Sequence, residues 1–122
     1  MSESQPTAGQ SAQTKVYIAT IRSGVCGFVT TVRATPNGRR MVNIHIETTC
    51  PNIQKLAGEI ATLDAFSEIS WRGGSTVYEL MAKYAGHASC PVGSGILKAM
   101  EVAAGLAVPR NVSIELSVEH GQ

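Results

Sequence analysis

A chain of 122 residues with 43% hydrophobic and 16% charged content can bury one modest core and has no room for two domains. Ten Lys plus Arg against nine Asp plus Glu leave a net charge of +1, a field too weak to draw nucleic acid, a membrane surface or acidic ligands. An aromatic content of 5% leaves no surface on which bases could stack.

Residues 1 to 13, MSESQPTAGQSAQ, are small and polar without periodicity and read as a disordered tail, so that residues 14 to 122 form a single α+β domain. From Lys15 to Arg22 the residues favour a strand. SGVCG then puts two glycines around Cys26, and Phe28 to Ala34 resumes the β pattern, which predicts a hairpin with Cys26 at its tip. Thr35-Pro36-Asn37-Gly38 carries turn chemistry, with proline presetting the first central position. Between Arg40 and Thr49, Val42, Ile44 and Ile46 alternate with Asn43, His45 and Glu47. That is a half-buried strand with His45 on its wet face.

Cys50 and Pro51 end this strand and open a helix with an apolar stripe of Ile53, Leu56, Ala57, Ile60 and Leu63. A turn or helical piece from Asp64 to Ile69 and a loop through Trp71-Arg72-Gly73-Gly74 follow. Thr76 and Glu79 match a capping box for a helix that carries Val77, Leu80, Met81 and Tyr84 and stops near Gly86. The longest helical signal runs from Cys90 to Pro109, with Ser94 as its cap and Ile96, Leu97, Met100, Ala103, Ala104 and Ala107 along one face. Val112, Ile114, Leu116 and Val118 then alternate with Ser113, Glu115 and Ser117 as a final strand. The expected fold class is α+β, an antiparallel sheet of about four strands with two to three helices packed on one face.

All three cysteines fall at element ends rather than inside an apolar stripe. Cys26 is in a glycine-flanked turn, while Cys50 and Cys90 each precede a proline at a helix entrance. Free amides and the helix dipole there favour thiolate, sulfide or an anion, and Gly27, Gly93 and Ser94 add little bulk nearby. No CxxC pair is present, so a shared site has to be assembled by the fold. Three thiolates suit an iron–sulfur cluster, including a four-iron cluster with one iron left to a non-cysteine ligand. They also suit zinc, with His87 as fourth ligand. The competing readings are a thiol enzyme or sulfur carrier with an activated Cys90 or Cys50, and an interaction module whose cysteines are incidental. Whether the chain is an enzyme stays open at this point. Gly93-Ser94-Gly95 matches neither a P-loop nor a dinucleotide fingerprint.

No apolar run approaches a membrane span and no secretory signal is present, so the expectation is a cytoplasmic protein with reduced thiols. The segments SGVCGF, TTCPNIQKLA and SCPVGSGILKAMEVAAGLAVP together resemble a family of small three-cysteine proteins of anaerobic bacteria and archaea, a domain of unknown function. The resemblance spans about Lys15 to Ile114, and an anaerobic setting implies tolerance of an oxygen-sensitive cluster. The expected role is metal binding through Cys26, Cys50 and Cys90, with a redox or metalloprotein as partner or a second copy of the chain completing a homo-oligomer.

Overall fold

Alternation in the first half of the chain becomes a meander. A computed structural model describes residues 15–70 and 73–121. The expected tail, Trp71 and Arg72 lie outside the described residues. Strand β1 (Tyr17–Arg22) pairs antiparallel with β2 (Val29–Asn37), and β2 with β3 (Met41–Thr48). The predicted turn therefore moves on by a few residues: Thr35, Pro36 and Asn37 still pair with β3, and the chain reverses at residues 38–40.

One face of this sheet presents Ile21, Val32, Ala34, Val42 and Ile44 to the core, and the other presents Ile18, Thr20, Arg33, Asn43, His45 and Glu47 to water. His45 is on the wet face as its place in the alternation requires, 3.6 Å from the Glu47 carboxylate. Among the described residues, four helices cover the core face. Helix α1 (Pro51–Ala57) packs on β3 and α4 (Val92–Ala103) across β1 and β2. Helix α3 (Thr76–Tyr84) packs against both, and the short α2 (Ala65–Ser70) also touches α4. Fully buried Ile53, Leu56, Val77, Val92, Ile96 and Met100 join the sheet residues in one core, each contributing about 1.5–3 kcal/mol by leaving water.

The fourth strand is not the one expected. It is β4 (Thr62–Asp64), which pairs with β3 between α1 and α2, completing the order β1-β2-β3-β4. Helix α1 accordingly ends at Gly58, and Leu63 enters the core from a strand rather than from a helical stripe. Residues 112–118 form no strand and are exposed throughout.

Two helix ends also differ from expectation. Helix α4 stops at Ala103, ahead of Pro109. Gly105, at φ 78°, lets its own N–H reach the Val102 carbonyl at 3.0 Å and the Leu106 N–H reach that of Glu101 at 2.8 Å. This double bond pattern is a glycine C-cap, and only a residue that tolerates positive φ provides it cheaply. Helix α3 is capped by Ser75, whose Oγ accepts from the Tyr78 N–H at 3.1 Å, and not by the Thr76–Glu79 pair. The carboxylate at this end comes from α2: Glu68, 6% exposed, accepts from Ser75 Oγ, Thr76 N–H and Val77 N–H.

Three surface carboxylates tie elements together. Glu47 accepts from Arg33 at 2.8 Å, Asp64 from Arg40 at 2.9 Å, and Glu59 from the Tyr84 hydroxyl. Each bond holds its carboxyl below the ordinary carboxylate value, with the hydrogen bond as the largest cause; Arg33 and Lys83 add direct attraction at Glu47 and Glu59, as does Arg40 at Asp64. A depressed folded-state value means stability that is present above the unfolded-state value and lost as pH falls through the folded one. The melting temperature is therefore expected to hold from neutral pH to near 4.5, the ordinary glutamate value, and to fall below it. Thermal melts across the acid range check this. Asp64→Asn should flatten part of the fall, because asparagine keeps the bonds that Asp64 Oδ1 accepts from the Phe66 and Ser67 amides at the start of α2.

Candidate functional site

Strand register brings two of the cysteine segments to one end of the sheet. Arg22 pairs with Val29 and Thr30 with Thr48, so the β1–β2 loop holding Cys26 and the β3–α1 junction holding Cys50 leave the sheet on the same side. The third segment arrives through α4. Its first turns lie against the same end of β1, because Gly95 sits directly over the Ile21 side chain. Ahead of α4, Gly86 of the Cys90 loop stands beside Asn52 of α1, where a Cβ would be 3.2 Å from Asn52 Nδ2.

The three sulfurs have different surroundings. Cys26 is exposed on a loop closed by Ser23 N–H to Phe28 O at 3.1 Å and Gly27 N–H to Gly24 O at 2.8 Å. Gly24 and Gly27 make that closure with φ of 88° and 76°. Cys50 is half-buried against the core and occupies the N-cap of α1. Its N–H donates to Thr48 Oγ1 at 3.1 Å, Thr48 Oγ1 shares a 2.8 Å hydrogen bond with buried Thr30, and its carbonyl accepts from Gln54 N–H at 2.9 Å. Its side chain makes no capping bond. Cys90 is half-buried against the same core, one residue before the Pro91 N-cap of α4, with its N–H bonded to the His87 carbonyl at 3.2 Å. All three thiols are free.

Other residues of the expected site have structural work. Ser94 lies inside the first turn of α4, and no side chain caps that helix, which corrects the expected cap. Gly93 is buried against Met81, where a Cβ would stand 3.0 Å from Met81 Cγ, and Gly95 accommodates Ile21. The low bulk of Gly93 and Gly95 thus serves helix packing within the chain. His87 is exposed on the loop before Cys90. Among the described residues, no three His, Cys, Asp or Glu side chains stand together as a ready metal-ligand group.

Glu68 and Ser75 are the buried polar pair that periodicity did not single out, and both are spent on the start of α3. The only sequence signal for them is a serine directly before the predicted helix. The described helices include none long and apolar enough to cross a membrane. No curated protein and no solved structure matches the chain. A family model does match, over residues 17–116, a span that covers the sheet, all four helices and the three cysteines, and the chain belongs to this family of unknown function, DUF6951.

Proposed function

We propose that this is a metal-binding protein in which Cys26, Cys50 and Cys90 hold an iron–sulfur cluster at the shared end of the sheet. One observation carries the reading: three free thiols far apart in sequence belong to segments that the strand register and α4 bring to the same end. Thiolates are soft donors suited to iron–sulfur clusters and to zinc. Cys50 and Cys90 are the anchored ligands, half-buried at helix entrances, and Cys26 is the adjustable one, on an exposed loop with two glycine pivots. No three such side chains stand together among the described residues, so a shared cluster requires the Cys26 loop to close toward the other two.

A family of small three-cysteine proteins from anaerobes would suit an oxygen-sensitive cluster, and a reduced cytoplasmic setting keeps the thiols available. Three cysteine ligands leave one iron of a four-iron cluster to another ligand, which fits electron transfer, cluster delivery to a metalloprotein partner, or ligand binding at that iron. Zinc, with His87 as fourth ligand, is the alternative occupant.

Purification without oxygen, with iron and acid-labile sulfide assays and an optical spectrum, tests this reading. The expected result is iron and sulfide in comparable amounts and a visible absorption band that is lost when Cys50 or Cys90 is replaced by serine. Zinc in place of iron selects the alternative occupant. Metal-free protein overturns the metal reading, and one thiol alkylating much faster than the other two would then favour a thiol enzyme or sulfur carrier.

A further inference from the structure

After the glycine cap of α4 the chain runs through residues 108–121 with no strand or helix and every residue exposed. Val112, Ile114, Leu116 and Val118 are 63%, 80%, 91% and 76% exposed and alternate with Ser113, Glu115, Ser117 and Glu119. A period of two with aliphatic residues on one side is the pattern of a strand with one buried face, and here nothing among the described residues buries it. Among the described residues, no backbone hydrogen bond joins 111–121 to the sheet; the segment begins with a local bond from Arg110 N–H to Val108 O at 2.9 Å.

The same chain has an open place for such a strand. In the order β1-β2-β3-β4, β1 pairs on one side only among the described residues, and its outer edge there presents unpaired backbone groups along a six-residue strand. Its core-facing Tyr17 and Ala19 are only half-buried, whereas the corresponding β2 residues Val32 and Ala34 are fully buried. The core is incomplete at this edge.

We propose that residues 112–118 of one chain add as a strand to the β1 edge of a second copy, exchanged reciprocally about a two-fold axis. Parity fixes the faces. Pairing that sets Ile114, Leu116 and Val118 beside Ile21, Ala19 and Tyr17 puts all the aliphatic side chains over the helix-covered face and all the polar ones on the wet face. On that wet face Glu115 then lies diagonal to Arg22, which has no ion-pair partner among the described residues, so the charges are complementary as well. Arm and receptor edge belong to one sequence, so a two-fold exchange satisfies both at once and leaves no open arm. The occupant is a second copy because, among the described residues, this chain's own arm forms no strand, makes no backbone hydrogen bond to its own sheet and leaves its aliphatic side chains exposed.

Sedimentation equilibrium on the full chain, with hydrogen exchange of the arm amides, tests the exchange. The expected result is a dimer at micromolar concentration with protected amides across 112–118. The double variant Ile114→Asp, Leu116→Asp should be a folded monomer with an unprotected arm, since these side chains are 80% and 91% exposed and lie outside the core. Arg22→Glu should weaken the dimer about tenfold, because the exchange uses the pair twice, and adding Glu115→Arg should restore it. A monomeric wild-type chain overturns the proposal, whether its arm is protected on its own β1 or left open for another partner. A dimer that survives the double variant overturns it too, by placing the interface elsewhere.

Discussion

Gly95→Ala is expected to lower the stability of the fold by about 1–2 kcal/mol, although alanine is the better helix former by about 1 kcal/mol. The added methyl would overlap Ile21 Cγ1 and Cδ1, well inside van der Waals contact. Ile21 is 8% exposed and branched at Cβ, so it has few other rotamers to adopt and little space to adopt them in. Overpacking costs about 1–3 kcal/mol, and an overlap this close belongs in the upper part of that range, about 2–3 kcal/mol, which exceeds the gain in propensity.

Gly93→Ala, two residues earlier on the same helix, is the control. Its methyl would meet only Met81, at 3.0 Å from Cγ, and an unbranched thioether can move. Chemical denaturation should find Gly93→Ala near neutral and Gly95→Ala clearly destabilised. Ile21→Ala, costly alone through the cavity it leaves, should cost less in the Gly95→Ala background, where the new methyl fills part of that space. Additive losses would mean that Gly95 acts through something other than Ile21. The contact matters to the candidate site because it sets the start of α4, and with it Cys90, at the end of the sheet where Cys26 and Cys50 emerge.

Local patterns made much of this fold legible. The meander was readable because β2 and β3 alternate over long enough runs, and α4 because Ile96, Met100 and Ala103 recur on one side. The fourth strand was not, since three residues, Thr62–Asp64, are too few to show a period, while 112–118 shows a clean one and has no strand partner among the described residues. Periodicity reports that a face will be buried and is silent about which chain buries it. At the site, the position of each cysteine at an element end was visible in the sequence. Their common side of the sheet was not, because it depends on the register of Arg22 with Val29 and Thr30 with Thr48. The glycines around Ser94 illustrate a related ambiguity: small residues at a helix start admit either a ligand or a neighbouring side chain, and here Met81 and Ile21 are the neighbours.

Glu68→Ala is expected to cost about 3 kcal/mol, among the larger losses available from a polar side chain here, and the reason is a complete accounting of donors. The first turn of α3 has N–H groups on Thr76, Val77 and Tyr78 that no helical carbonyl can take. Glu68 accepts the first two, at 2.9 and 3.3 Å, and Ser75 Oγ accepts the third while donating its own proton to Glu68 at 2.7 Å. Removing the carboxylate leaves three donors short of a partner in a site that is largely dry, each at up to about 1–3 kcal/mol, with water recovering part of the loss at Thr76. It also removes a negative charge from the positive end of the helix dipole.

Glu68→Gln retains one acceptor oxygen but turns an amide donor toward other donors, so about 1–2 kcal/mol is expected. Glu79→Ala should stay within about 0.5 kcal/mol, since Glu79 does not serve as the capping carboxylate. Denaturant titrations of the three variants, with a Glu68→Ala, Ser75→Ala cycle, check the ranking and should show strong coupling between the two positions. Equal effects of the Glu68 and Glu79 replacements would rule out the cap from α2. Helix α3 supplies the Met81 side chain that packs on Gly93 of α4, so a frayed first turn should loosen the wall behind Cys90 as well as lower stability.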